Sequence, residues 1–281
     1  MRFVSFNYNR HYYWGIEADD GIYYSEKLIN IFPTLDTLIA NIDDLDIENE
    51  INQQISRHDI ELLAPLYPKK NIMCIGKNYA DHALEMTNQD HSQIPQHPVI
   101  FTKAPTSVTG PNMPVNSHAS ITTQLDYEGE LAVVIGKRGK NIAREDALDY
   151  VFGYTLLNDV TARDLQQQHK QFFRGKSLDT FAPFGPAIVT PDEIEDVQKL
   201  GIRTYVNDEL RQNGNTSDMI FDVKTLIATL SEGMTLEPGD VIATGTPSGV
   251  GKGFNPPRFL QAGDVVTVEI DHIGQLVNVV E

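Results

Sequence analysis

The stretch Leu125–Val134, LDYEGELAVV, has the composition of a buried strand except for two glutamates. Successive side chains on a strand point to opposite faces, so Glu128 and Glu130 project the same way with Cα atoms about 7 Å apart. Tyr127, Gly129, Leu131 and Val133 occupy the other face and suit a core. Two carboxylates on one buried face raise each other's pKa and cannot both stay ionised without compensation. A divalent cation is the simplest compensation. An all-oxygen donor set selects a hard ion, Mg²⁺ or Mn²⁺, with Ca²⁺ as a substitute. The competing reading places the strand at a sheet edge with both glutamates in water.

A third carboxylate, Asp159, closes the apolar stretch VFGYTLLND and precedes the helical VTARDLQQQ. At a strand's end it is placed to meet a glutamate pair on a neighbouring strand; alternatively it is an ordinary helix N-cap. In GKNYADHALEM, a helix over Tyr79–Met86 puts His82 and Glu85 on one face at i and i+3. A carboxylate beside an imidazole orients it and raises its basicity, as a water-activating base requires; the alternative is a solvated surface pair. Lys176 stands in RGKSLDTFAPFGPAIV, read as a loop entering a strand. Its ammonium there either stabilises developing negative charge or is simply solvated. The segment ATGTPSGVGKG fails as a phosphate loop, because Thr246 stands where the first glycine belongs and Gly253 where Ser or Thr must bind magnesium. What remains is a strand, Asp240–Thr244, running into a glycine-rich turn whose hydroxyls and backbone N–H groups are able to grip a carboxylate or carbonyl. Cys74 reads as a small core residue.

These residues need a framework, and the rest of the chain predicts a β-rich α+β one. From Asn71 onward short strands are punctuated by Gly, Pro and Asn/Asp turns, with helical stretches at Tyr79–Met86, Asp159–His169 and Phe221–Leu230. Regular βαβ alternation is missing, which argues against a doubly wound parallel sheet. Residues 1–65 read as a small N-terminal domain. MRFVSFNY and YYWGIEADDGIYYSE are strand-like, the second turning at Asp20-Gly21, and TLDTLIANI spaces Leu35, Leu38, Ile39 and Ile42 along one helix face. APLYPKK marks the boundary to a catalytic domain over 66–281. The N-terminal unit carries no evident chemistry and is expected to serve as packing support, lid or oligomer contact.

The 281 residues include 39 acidic and 22 basic side chains, a net charge of −17. Such a surface repels phosphate backbones and anionic lipid, so neither nucleic acid nor membrane is expected as a partner. A single cysteine, a start without a signal-type apolar run, and no stretch of about 18 apolar residues together predict a cytoplasmic protein.

The motifs resemble the fumarylacetoacetate hydrolase superfamily, in its acylpyruvase and 2-hydroxyhepta-2,4-diene-1,7-dioate isomerase-like branch, over roughly Asn71 to Gly251. CIGKNYADHALEM, LDYEGELAVVIGK, GYTLLNDVTARDLQ, GKSLDTFAPFGPAIV and GDVIATGTPSGVG occur in the family's order. The resemblance implies a C-terminal mixed β-roll domain, a smaller N-terminal α+β domain and a homodimer. It implies Glu128, Glu130 and Asp159 as ligands of Mg²⁺ or Mn²⁺, and His82 with Glu85 as a water-activating dyad on a short helix. It places Lys176 near the substrate, Thr246 on the substrate's carboxylate, and Gln166 and Lys103 in the pocket; Lys77 stands where many members have arginine. The implied activity is metal-dependent hydrolysis of a C–C bond in an acylpyruvate-type 2-oxo acid, in aromatic or 2-oxo acid catabolism. Related enols arise by other routes. An oxaloacetate-type decarboxylase and a 2-hydroxyhepta-2,4-diene-1,7-dioate or 5-carboxymethyl-2-hydroxymuconate isomerase are therefore alternatives. Outside catalysis the alternative is a protein that binds a metal or a small acid.

Overall fold

A computed structural model describes residues 1–281 except 43–44, 87–89, 91 and 93. The main sheet has twelve strands, and the strand Gly129–Ile135 lies in its interior. This strand pairs antiparallel with Val151–Asn158 on one side and Val241–Ala243 on the other. A strand covered on both faces is apolar along most of its length; every residue from Gly129 to Ile135 is buried, and Glu130 is its one charged side chain. On one side the sheet continues through Ala182–Val189, Arg2–Tyr8, His11–Ala18, Gly21–Tyr24 and Gln53–Ile55. On the other it continues through Ile72–Gly76, parallel to Val241–Ala243, and ends at Val99–Lys103. The first 65 residues therefore share the sheet with the later ones, Arg2 and Phe3 standing opposite Val189 and Ile188.

Alternation along the central strand sorts its side chains into two cores. Leu131, Val133 and Ile135 pack against Ile202, Val268 and Ile270 of a second, four-stranded antiparallel sheet, and against Leu226 and Ile227 of the helix Val223–Ser231. Ala132 and Val134 point the other way, into a cluster with Leu157, Phe184 and Ile188 that also takes Phe3, Trp14, Leu35 and Leu38 from the N-terminal region. The indole N–H of Trp14 donates to the Phe32 carbonyl at 2.7 Å, so this large buried ring keeps its polar edge satisfied.

The strand-rich α+β reading holds, with local corrections. The strand around Glu128 is broken: Leu125–Asp126 pairs with Thr161–Ala162, and the long strand begins only at Gly129. That pairing delays the helix expected from Asp159, which runs instead over Arg163–His169 with Ala162 at its N-cap. Asp159 is thus not a helix cap. The stretch expected from Phe221 starts at Val223, because the Asp222 carboxylate accepts from the Thr225 N–H at 2.8 Å and caps it there. Lys176 ends a short helix, Phe173–Lys176, where a loop was expected. Among the described residues no helix is long and apolar enough to cross a membrane.

Candidate active site

Glu128, Glu130 and Asp159 each bring a carboxylate oxygen within 4.8 Å of the others. Their exposures of 5%, 1% and 0% exclude the solvated edge reading. The register of the central pair assembles them. Gly129 stands opposite Asn158, so Glu128 just before one strand meets Asp159 just after its neighbour. The Asp159 N–H donates to the Glu128 carbonyl at 2.8 Å, and the Glu128 N–H donates to Oδ1 of Asn158 at 3.0 Å.

Three buried cations surround the trio. Lys176 Nζ donates to Glu128 Oε2 at 2.8 Å and to Asp159 Oδ2 at 2.7 Å. Lys103 Nζ donates to Asp159 Oδ1 at 2.6 Å and to the Val160 carbonyl at 3.1 Å. Arg163 bridges Glu128 Oε1 at 2.7 Å and Asp126 Oδ2 at 2.8 Å. Burial alone would raise the Glu128 carboxyl, but Lys176 and then Arg163 outweigh it and hold the group down at about 2. Glu130 has the opposite fate. Burial, then Asp159 and Glu128, push it well above the usual carboxylate range, and among the described residues its hydrogen bond comes from the Gly245 N–H at 2.9 Å. Burial disfavours the Lys176 ammonium, yet Asp159 and Glu128 more than offset it and raise its pKa, whereas burial wins at Lys103 and lowers it.

Four carboxylates (Asp126, Glu128, Glu130, Asp159) thus face three cations (Lys103, Arg163, Lys176), leaving one negative charge in surplus. The carboxylate without a cation is Glu130. Oxygen donors alone, a surplus negative charge and one uncompensated carboxylate are what a hard divalent ion fits.

Two of the trio, Glu128 and Glu130, open into a cavity of about 310 Å³, lined also by Lys176, Thr246 and His82 among others, with Asp159 set behind them. His82 comes from the helix Ala80–Met86, which starts one residue later than the spacing predicts. Its Nδ1 lies 3.2 Å from Glu85 Oε2, and Glu85 Oε1 in turn accepts from the Gly249 N–H at 3.0 Å. Gln166 and Lys77 also line the cavity. Lys103 does not: it is fully buried behind Asp159, where it serves as a counter-charge. The Thr246 hydroxyl donates to the Gly129 carbonyl at 2.9 Å and accepts from Gln212 Nε2 at 2.7 Å.

The glycine-rich turn grips carboxylates as its composition suggests, but they belong to the protein. The Gly245 N–H holds Glu130, the Gly249 N–H holds Glu85, and the Gly251 and Lys252 N–H groups hold Asp126 at 2.7 and 3.0 Å. Gly249 has φ +103°, and a Cβ there would lie 2.0 Å from the Arg211 carbonyl oxygen. Only glycine fits.

Sequence reasoning passed over Arg163 and Asp126. The first looks like any helix arginine in TARDLQQQ. The second carried a signal, since Asp126, Glu128 and Glu130 form an i, i+2, i+4 series. Arg163 is 1% exposed, and its Nη2 has no hydrogen-bond partner among the described residues.

This site and fold define the class. The chain belongs to the fumarylacetoacetate hydrolase family, residues 71–281 matching the model described as Fumarylacetoacetate (FAA) hydrolase C-terminal. Among its curated relatives is the oxaloacetate tautomerase YisK of Bacillus subtilis (strain 168), 60% identical over 79% of this chain and 74% of the relative. A solved fumarylacetoacetate hydrolase from psychrophilic Exiguobacterium antarcticum is 45% identical with a TM-score of 0.89, covering 100% of this chain and 99% of that one. A maleylpyruvate hydrolase from Sphingobium sp. SYK-6, solved in complex with manganese(II) ion and pyruvate, is 31% identical with a TM-score of 0.80 and covers 100% of this chain and 98% of its own.

Proposed function

We propose that the protein interconverts the keto and enol forms of a short 2-oxo acid in a reaction dependent on Mg²⁺ or Mn²⁺. The observation that carries this reading is that Glu128 and Glu130 of a buried carboxylate trio line one small cavity with His82, whose imidazole is paired with Glu85. A site that holds a hard cation beside an acid–base group is suited to moving a proton next to a carbonyl. The tautomerase relative supports the reaction type, and the manganese and pyruvate of the Sphingobium enzyme support the ligand classes.

Glu128, Glu130 and Asp159 would hold the cation, which when bound supplies Lewis-acid polarisation of the 2-oxo group. His82 takes and returns the proton at the carbon next to that carbonyl. Glu85 orients the imidazole, and the Gly249 N–H fixes Glu85. Lys176 and Arg163 keep Glu128 ionised, so the cation does not have to displace its proton. Thr246 and Gln166 position the acid's own carboxylate from the cavity wall.

A second reading is hydrolysis of a C–C bond in an acylpyruvate, with His82 taking its proton from water. The His82–Glu85 pair and the Sphingobium relative favour it. Two assays separate the readings: decay of the enol absorbance of oxaloacetate, and pyruvate release from acetylpyruvate. We expect the first to accelerate about 100-fold or more over buffer, to stop in EDTA and to return with Mn²⁺. Pyruvate release alone would favour hydrolysis, and indifference to EDTA in both assays would reject the metal site.

A further inference from the structure

Six cationic side chains occupy the site and its walls. Three of them, Lys103, Arg163 and Lys176, are committed to carboxylates. Three others line the cavity: Lys77, Lys170 and Lys252. Lys170 is exposed at the end of the helix Arg163–His169, and Lys77 is half-buried just past the strand Ile72–Gly76. Lys252 is also half-buried, and its backbone is tied to a buried carboxylate. Its N–H donates to Asp126 Oδ2 at 3.0 Å, and Arg163 Nε donates to the same oxygen at 2.8 Å. One buried carboxylate therefore fixes both residues. The same turn is closed around Glu85, since the Gly249 N–H donates to it and a Cβ on Gly253 would lie 2.1 Å from its Oε1. Among the described residues the Lys252 ammonium forms no ion pair.

We propose that Lys252 binds a second carboxylate, so that the cavity selects 2-oxo dicarboxylates over 2-oxo monocarboxylates. This rests on the proposed function. The charge count supports it: the site's surplus of one negative charge becomes one positive with a divalent cation, and the uncommitted lysines of the wall, Lys252 among them, add to that. A 2-oxo monocarboxylate brings a single negative charge, so positive charge on the wall is left for a second carboxylate to meet. Burial, then Arg163, make the bare ammonium costly to hold, with Asp126 only partly opposing them, so an arriving carboxylate relieves an existing penalty. A pre-positioned cation also spends little side-chain ordering on binding.

The test is calorimetric titration of the full-length protein in Mg²⁺ with oxaloacetate and with 2-oxobutyrate, acids of equal chain length that differ in the far carboxylate. Wild type is expected to bind oxaloacetate about tenfold or more tightly than 2-oxobutyrate. Lys252→Met is expected to erase that preference by weakening oxaloacetate while moving 2-oxobutyrate less than about twofold, and Lys252→Arg to keep it. The assignment is overturned if the preference survives in Lys252→Met, if wild type has none, or if Lys77→Met or Lys170→Met abolishes it instead. Wild type that binds neither acid fails differently, because it rejects the 2-oxo acid reading itself.

Discussion

Glu128 and Glu130 stand two residues apart under opposite electrostatic conditions, and this predicts different outcomes for the same substitution. Without a cation, burial and then Asp159 and Glu128 oppose the charge on Glu130, so Glu130→Gln removes a group whose charge the metal-free site disfavours. It should leave the metal-free melting temperature nearly unchanged and reduce Mn²⁺ affinity about 100-fold or more, read as loss of the Mn²⁺-induced thermal shift. Glu128→Gln withdraws the charge that Lys176 and Arg163 share. Removing one partner from a buried ion pair costs about 3–5 kcal/mol, so this variant should unfold at lower denaturant concentration even without metal. A metal-free stability equal for the two variants would refute the charge assignment. His82→Ala should lower turnover by about 10²–10⁴ while Mn²⁺ affinity, followed by the free-ion EPR signal, stays within about twofold. Unchanged turnover would remove His82 from the chemistry.

The turn from Gly245 to Gly253 is the element that joins the site's parts, since its N–H groups hold Glu130, Glu85 and Asp126. Gly249→Ala would force a backbone shift away from the Arg211 carbonyl and carry the N–H off Glu85. We expect a stability loss of about 1–3 kcal/mol and a fall in turnover larger than the fall in metal affinity, measured by denaturation and by activity of the folded fraction. A full-rate, full-stability Gly249→Ala would show that Glu85 needs no such anchor. The strands were legible as short apolar runs between Gly, Pro and Asn/Asp turns, and the helix was expected one residue early, at Tyr79–Met86. The two-residue pairing of Leu125–Asp126 with Thr161–Ala162 was not, because two residues establish no period, and neither was the four-residue helix ending at Lys176.

At the scale of the molecule, the N-terminal residues contribute Phe3, Trp14, Leu35 and Leu38 to the cluster that backs Ala132 and Val134 of the site's own strand. Deleting residues 1–65 would strip Ala182–Val189 of a strand neighbour and uncover that cluster. The expected product binds hydrophobic dye and lacks near-ultraviolet circular dichroism, as a core without its packing does; a cooperatively folding 66–281 fragment would refute the dependence. The net charge of −17 repels an anionic substrate at long range. Capture therefore depends on the local cations of the cavity, whose field is less screened than that of the surface.

The sequence by itself determined the strand-rich architecture, the three carboxylates that could share a cation, the His82–Glu85 pair and, through the order of its motifs, the family. All of these are written in short-range spacing or in linear order. Only the tertiary structure decided that neighbouring cations favour the charge on Glu128 while burial and neighbouring carboxylates oppose it on Glu130, that Lys103 stands behind the site and Arg163 within it, and that the glycine turn holds protein carboxylates. Those outcomes depend on burial and on groups that the fold brings together across 17 to 164 residues of chain. Periodicity, which reports only on near neighbours, does not carry that information.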